Sequence, residues 1–217
     1  CGQTCVAPDY ILVQKTVKEK LLRQIEKYIK KMYGKEPCEN PEYPRIVNAK
    51  HYERILGLMD GAHVVCGGGS RRGSLQIEPT VLDEVTWDSP VMQEEIFGPI
   101  LPVLTFYSLK EAAAMVNARP RPLALYLFTG DKKREDYILE NISYGGGCIN
   151  DTVVHLATSH MPFGGVGSSG MGGYHGKASF DTFTHEKSIL KKSRFIDVPI
   201  RYAPFGDKLD IIKKLMK

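Results

Sequence analysis

Short apolar runs alternate along the chain with longer stretches in which apolar residues recur every three or four positions. Residues 10–13 form a compact apolar run and read as a strand. The segment TVKEKLLRQIEKYIKKMYG then takes helical spacing, with Val17, Leu21, Ile25, Ile29 and Met32 on one face and Gly34 as a stop. Thr16 stands three residues before Glu19, the spacing of a capping box. CENPEYPR is a loop, and a second helix is expected over 48–60, with Tyr52, Ile55, Leu56 and Met59 facing inward and Gly61 at its end.

HVVCGG and IEPTVL read as strands separated by the polar turn GGSRRGS. ILPVLTFY is a further strand, and Pro102, which has no amide hydrogen, argues for an edge or strand-start position. Ser108 and Glu111 repeat the capping-box spacing and open the helix LKEAAAMVNA. LALYLF is continuously apolar, like a strand covered on both faces; DKKREDYILENI reads as a helix and GGCIND as a short strand. This alternation predicts an α/β fold: a largely parallel open sheet flanked by helices, with right-handed crossovers. Past Asn150 comes the glycine-rich PFGGVGSSGMGGYHG. The proline-bearing SRFIDVPIRYAPFG that follows it predicts an extended C-terminal arm. A short terminal helix is expected from Asp207, with Leu209, Ile212, Leu215 and Met216 on one side.

Composition narrows the classes. With 217 residues, 42% hydrophobic and 25% charged, the chain has enough apolar material for a large core, which sets it apart from disordered sequences. Its longest apolar run falls well short of the ~20 residues needed to cross a bilayer, so no transmembrane segment is expected. The first residues lack the basic and apolar regions of a secretory leader. The net charge of +4 is mild. Lysines gather at KYIKKMYGK, KKSR and KKLMK without interleaved stacking aromatics, which favours solvated helix faces over a nucleic-acid partner. The five cysteines, Cys1, Cys5, Cys38, Cys66 and Cys148, are odd in number and include no C-x-x-C pair or zinc-type cluster. No metal site or disulfide framework is expected, and a reducing, cytoplasmic compartment fits this pattern.

Three segments have chemical content. GVGSSG, at 165–170, fits the dinucleotide pattern G-x-G-x-x-G, but Pro162 stands where the strand should be and MGGYHG follows where a helix should start. A tight loop is the better reading. MQEEIFGP places two carboxylates before an apolar pair and a Gly-Pro turn, which by itself is compatible with a surface loop. In GQTC, glycine and the polar Gln-Thr pair suggest an accessible loop, where a reactive thiol has to be. A free cysteine is nonetheless commonly a small buried hydrophobe.

Taken together and in order, GQTCVAPDYIL, MQEEIFGPILPVL and MPFGGVGSSGMGGYHGKASFDTFTH resemble the aldehyde dehydrogenase superfamily, in particular its class 3 branch acting on fatty and aromatic aldehydes. The resemblance covers essentially the whole chain. It implies that Cys5 is the nucleophile of an NAD- or NADP-dependent aldehyde oxidation through a thiohemiacetal and a thioester. It implies that Glu95 and Phe97 hold the nicotinamide ribose, with Glu94 the spare carboxylate. Thr4, Phe163 and His175 would line the aldehyde tunnel, although a histidine among glycines also has the plain role of hydrogen-bonding its loop. The same resemblance makes 1–187 a catalytic domain and 188–217 a dimerisation arm and helix of a homodimer. The family's upstream NAD(P)-binding domain, oxyanion asparagine and hydrolytic glutamate have no counterpart in the sequence, so a C-terminal portion with little turnover alone is expected. A noncatalytic assembly module and an acylating, coenzyme A-dependent dehydrogenase are the alternative readings.

Overall fold

The computed structural model describes residues 1–215, and the chain divides into two compact units, Cys1–Thr182 and the segment from Phe183 onward. In chain order the elements are β1 (Ile11–Gln14), α1 (Lys18–Tyr33), α2 (Ala49–Gly57), β2 (His63–Cys66), β3 (Ser70–Arg71), β4 (Gln76–Ile77), β5 (Thr80–Asp83), β6 (Ile100–Phe106), α3 (Leu109–Asn117), β7 (Ala124–Leu127), α4 (Lys132–Asn141), β8 (Gly146–Ile149), α5 (Gly176–Phe183) and α6 (Leu209–Leu215).

The larger sheet runs β1-β6-β5-β2. β6 pairs in parallel with both β1 and β5, and β2 closes the edge antiparallel to β5. β7 and β8 form a second, parallel pair, and β3 and β4 a small hairpin. The expected α/β class with mostly parallel strands is therefore present.

Alternation along the strands sends side chains into separate layers. Val81 joins Val13, Val103 and the α1 residue Leu22 on one face. Its neighbour Leu82 joins Tyr52 and Ile55 of α2, with Ile77, Ile96 and Ile100, on the other. Each such side chain taken fully out of water contributes about 1.5–3 kcal/mol. A third cluster unites Ala113 and Val116 of α3 with Ile138 and Ile142, against Leu12 of β1 and Leu125 and Leu127 of β7.

Several local expectations change. The Thr16–Glu19 capping box does not form: residues 15–17 make a 3-10 turn, and α1 starts at Lys18 with no side-chain cap. A tertiary contact accompanies that start, because the Lys18 ammonium is buried against Asp83, Nζ to Oδ2 at 2.5 Å. Val17 and Met32 are exposed, and the inward face of α1 is Leu21, Leu22, Ile25 and Ile29. Caps that answer to local geometry alone do appear. Asn48 accepts from the His51 amide, and Ser108 accepts from the Glu111 amide while the Glu111 carboxylate accepts from the Tyr107 amide.

Pro102 is the third residue of the inner strand β6, contrary to the edge or strand-start position expected for it. Pairing with β5 covers residues 100–102 and pairing with β1 begins at Val103, so the missing amide falls where one ladder hands over to the other. β7, expected to be covered on both faces, is half-buried throughout and is followed by an exposed Phe128; among the described residues its strand partner is β8 alone. In the second unit, 184–198 carries no helix or strand, and α6 follows a short 3-10 turn at Pro199–Arg201. Leu209 is exposed and Ile212 half-buried; Met216, expected on the same helix face, lies outside the described residues.

Candidate active site

Cys5 stands on the loop entering β1, in a turn closed by the Ala7 amide donating to the Thr4 carbonyl at 2.9 Å. Thr4 and Cys5 are both exposed, and Cys5 is the exposed one of the five free thiols. Burial pushes the Cys38 and Cys66 thiols up, away from reactivity. The turn is fixed from both sides. Gln3 donates from Nε2 to the Arg45 carbonyl and accepts at Oε1 from the Val47 amide, at 3.0 and 2.9 Å. Val6 is buried, and its carbonyl accepts from the Tyr126 phenol at 2.6 Å.

The loop carrying MQEEIFGP packs directly on this turn. Gly2 has φ +75°, and a Cβ there would collide with the Gly98 carbonyl, so the backbones meet at a distance that only glycine permits. On the far side of Cys5, Asp9 Oδ1 accepts from the Ile96 amide at 2.9 Å. Arg54 of α2 holds the loop's other face, donating from Nη1 to the Glu95 carbonyl at 3.2 Å and from Nη2 to the Ile96 carbonyl at 2.6 Å. Ile96 is buried, and its neighbours Glu95 and Phe97 are exposed on either side of it. Phe97 has φ +51°, an uncommon conformation for an aromatic residue.

Charge distinguishes the two carboxylates. Glu94 pairs with Arg54 at 3.3 Å, whereas Glu95 has no ion pair among the described residues. Burial and the negative charge of Asp9 raise the Glu95 carboxyl, against the opposing pull of Arg54. Asp9 is itself raised by burial, opposed by the Ile96 amide and Arg54.

Phe163 and His175 come together through the glycine-rich segment. Phe163 and Tyr174 exchange both amide bonds at 2.8 Å, and the Phe163 and His175 rings lie 6.1 Å apart. His175 also serves its loop, its Nδ1 lying 3.1 Å from the Met161 carbonyl and its amide donating to Ser179 Oγ. Phe163 touches His155, and His155 touches Tyr126, so ring contacts run from this segment to the bond at Val6. GVGSSG contains a single 3-10 turn, Gly167–Ser169, with no strand feeding it and no helix at its end. It is a loop, as its flanks predict.

Residues to which the motifs assigned no role complete the site. Arg54, Asp9, Tyr126 and His155 fix the loops, and the one local signal among them is Tyr126, a phenol inside an apolar strand that must find an acceptor. Among the described residues no group of three His, Cys, Asp or Glu side chains is placed to hold a metal ion.

A family model described as the aldehyde dehydrogenase family matches residues 1–189. The chain is 52% identical to 4,4'-diaponeurosporen-aldehyde dehydrogenase of Staphylococcus aureus, over all of this chain and 48% of that protein. It is 46% identical to the dimeric NADP-preferring aldehyde dehydrogenase of Rattus norvegicus, over 96% of this chain and 46% of that protein. A solved structure described as the substrate-bound state of Staphylococcus aureus AldH superposes with a TM-score of 0.90 at 51% identity, covering 99% of this chain and 47% of the other. The chain thus spans about half the length of the curated relatives it matches.

Proposed function

The chain belongs to the aldehyde dehydrogenase family, and from that premise we propose that it carries the nucleophile of an enzyme oxidising aldehydes to carboxylic acids with NAD or NADP. The observation that carries this reading is the exposed Cys5 on a turn clamped to the loop of Glu95 and Phe97.

In this reading the Cys5 thiolate attacks the aldehyde carbon, and the carbonyl oxygen takes the negative charge of a tetrahedral thiohemiacetal. Backbone amides near Cys5 face that charge; each well-placed donor of this kind is worth about 10²–10³ in rate. Bound NAD or NADP supplies the hydride acceptor. Cys5 holds the oxidised carbon as an acyl thioester, and water then releases the acid and restores the thiol. Glu95, its carboxylate exposed and outside the Arg54 pair, suits ribose hydroxyls, and the exposed ring of Phe97 suits packing on the same sugar. Thr4, Phe163 and His175 line the path of the aldehyde.

The reading extends to a homodimer in which 188–217 acts as the arm of a catalytic domain spanning 1–187, in a cytoplasmic setting. No helix of the described residues is long and apolar enough to cross a membrane. The named relatives, each an aldehyde dehydrogenase, do not favour the assembly-module or coenzyme A-dependent alternatives.

The test is Cys5→Ser in the full natural polypeptide, assayed by aldehyde-dependent NAD(P)H formation with a medium-chain aldehyde. Turnover is expected to vanish while the circular dichroism spectrum is unchanged. In the parent protein iodoacetamide should label Cys5 well ahead of Cys38. Retained turnover in Cys5→Ser sinks the reading.

A further inference from the structure

The loop bearing Glu95 and Phe97 needs outside support. Phe97 sits at φ +51°, and a bulky residue held in that region persists only where its surroundings over-determine it. Two side chains supply that support from opposite faces of one peptide. Arg54 donates to the carbonyls of Glu95 and Ile96, and Asp9 accepts the amide hydrogen of Ile96. Arg54 comes from α2, whereas Asp9 comes from the loop of Cys5, four residues beyond it.

We propose that Asp9 is a positioning residue for cofactor binding, whose carboxylate, by accepting the Ile96 amide hydrogen, registers Glu95 and Phe97 against the loop that carries Cys5. The bond joins a half-buried ionised acceptor to a buried residue's amide, where competition from water is weak and a charge-assisted hydrogen bond is strong. Asp9 is also within electrostatic reach of Arg54, so the two clamping groups steady each other across the loop. Glu94, not Glu95, is the carboxylate that pairs with Arg54, and the Glu95 side chain is exposed. The inference rests on the reading that Cys5 and the Glu95–Phe97 pair serve one reaction.

The experiment uses the full natural polypeptide and two measurements: the KM for NAD(P)⁺, and the rate of Cys5 alkylation by iodoacetamide without cofactor. Asp9→Ala is expected to raise the KM roughly tenfold, the order set by losing a hydrogen bond to a charged group. Cys5 alkylation should change little, because the turn of Cys5 is held separately by Gln3 and Tyr126. Asp9→Asn keeps an acceptor oxygen without the charge and is expected to recover part of the lost cofactor affinity. An unchanged KM in Asp9→Ala overturns the proposal, as does an Asn variant no better than the Ala one, or an alkylation rate that falls as far as the KM rises. Should Asp9→Ala fail to fold, Arg54→Lys carries the same pair of readouts, and a flat KM there overturns the clamp. Failure of the underlying reading looks different, because it shows as turnover surviving in Cys5→Ser.

Discussion

The phenol of Tyr126 donates to the carbonyl of Val6 at 2.6 Å, joining the second sheet to the residue beside Cys5 across 120 positions of sequence. Burial raises this phenol's pKa and keeps it protonated, against a backbone hydrogen bond from Val153. It is therefore a dependable donor at neutral pH. Together with Gln3 on the other side, it makes the exposure of Cys5 a property of a rigid turn.

Removing that one donor tests the arrangement. Tyr126→Phe leaves the Val6 carbonyl without its partner, and a loss of about 1–3 kcal/mol is expected in urea denaturation. The rate of Cys5 alkylation should shift severalfold, because the turn loses one of its two anchors. An unchanged denaturation midpoint and alkylation rate would show that the bond does not hold the turn.

Gly2 and Gly61 share nearly the same φ, +75° and +71°, but of the two only Gly2 faces an obstacle, the Gly98 carbonyl. Gly61→Ala is expected to cost the conformational term alone, about 1–2 kcal/mol. Gly2→Ala adds a collision that must push the loop of Cys5 away from that of Glu95, and a displacement near 1 Å lowers turnover by about 100-fold. Paired thermal melts and steady-state assays of the two variants separate strain from displacement.

The Lys18–Asp83 pair makes stability depend on pH. Burial alone would raise the Asp83 carboxyl, but hydrogen bonds from the Lys18 ammonium and the Glu84 amide bring it below its ordinary value. The stabilisation is thus complete above the unfolded value of about 3.9. It is lost as pH falls through the lower folded value. Asp83→Asn should cost about 3–5 kcal/mol near neutrality, the range for breaking a buried pair. That difference should shrink in acid, as denaturation curves at pH 7 and pH 3 would reveal.

His155 gives a second pH dependence in a higher window. Burial lowers its pKa, its Nε2 is buried without a partner among the described residues, and Nδ1 lies 3.7 Å from the Cys148 sulfur. The folded protein therefore resists protonation of this ring. Its share of stability is full above about pH 6.5 and falls as pH drops toward the folded value. His155→Leu should flatten the stability profile between about pH 6.5 and 5 relative to the parent, as urea midpoints across that range would record.

Local patterns in the sequence made much of this legible. The α/β alternation, the Ser108 cap, the loop character of GVGSSG and the accessibility of Cys5 all follow from periodicity, capping spacing and glycine placement. What escaped depends on partners far along the chain. Asp9 and Ile96 are 87 positions apart, and nothing near either announces the other. The start of α1 is likewise marked by a lysine that reaches Asp83. Pro102 misled because the rule about edges assumes a residue bonded on both sides, and here the two ladders change over at that residue. Helix α5 went unread since it starts inside the glycine-rich texture that argued against any helix there.

The bridge between Phe163 and Tyr174 encloses a lobe in which two glycines leave no room for an added methyl group. A Cβ on Gly164 would strike the Gly172 carbonyl, and one on Gly165 the Ser169 carbonyl. Met171, by contrast, is 99% exposed. The rim of this lobe can therefore be redecorated while Gly164 and Gly165 stay fixed, so a redesign of the lobe is free to change what it displays and not the two positions on which its fold turns.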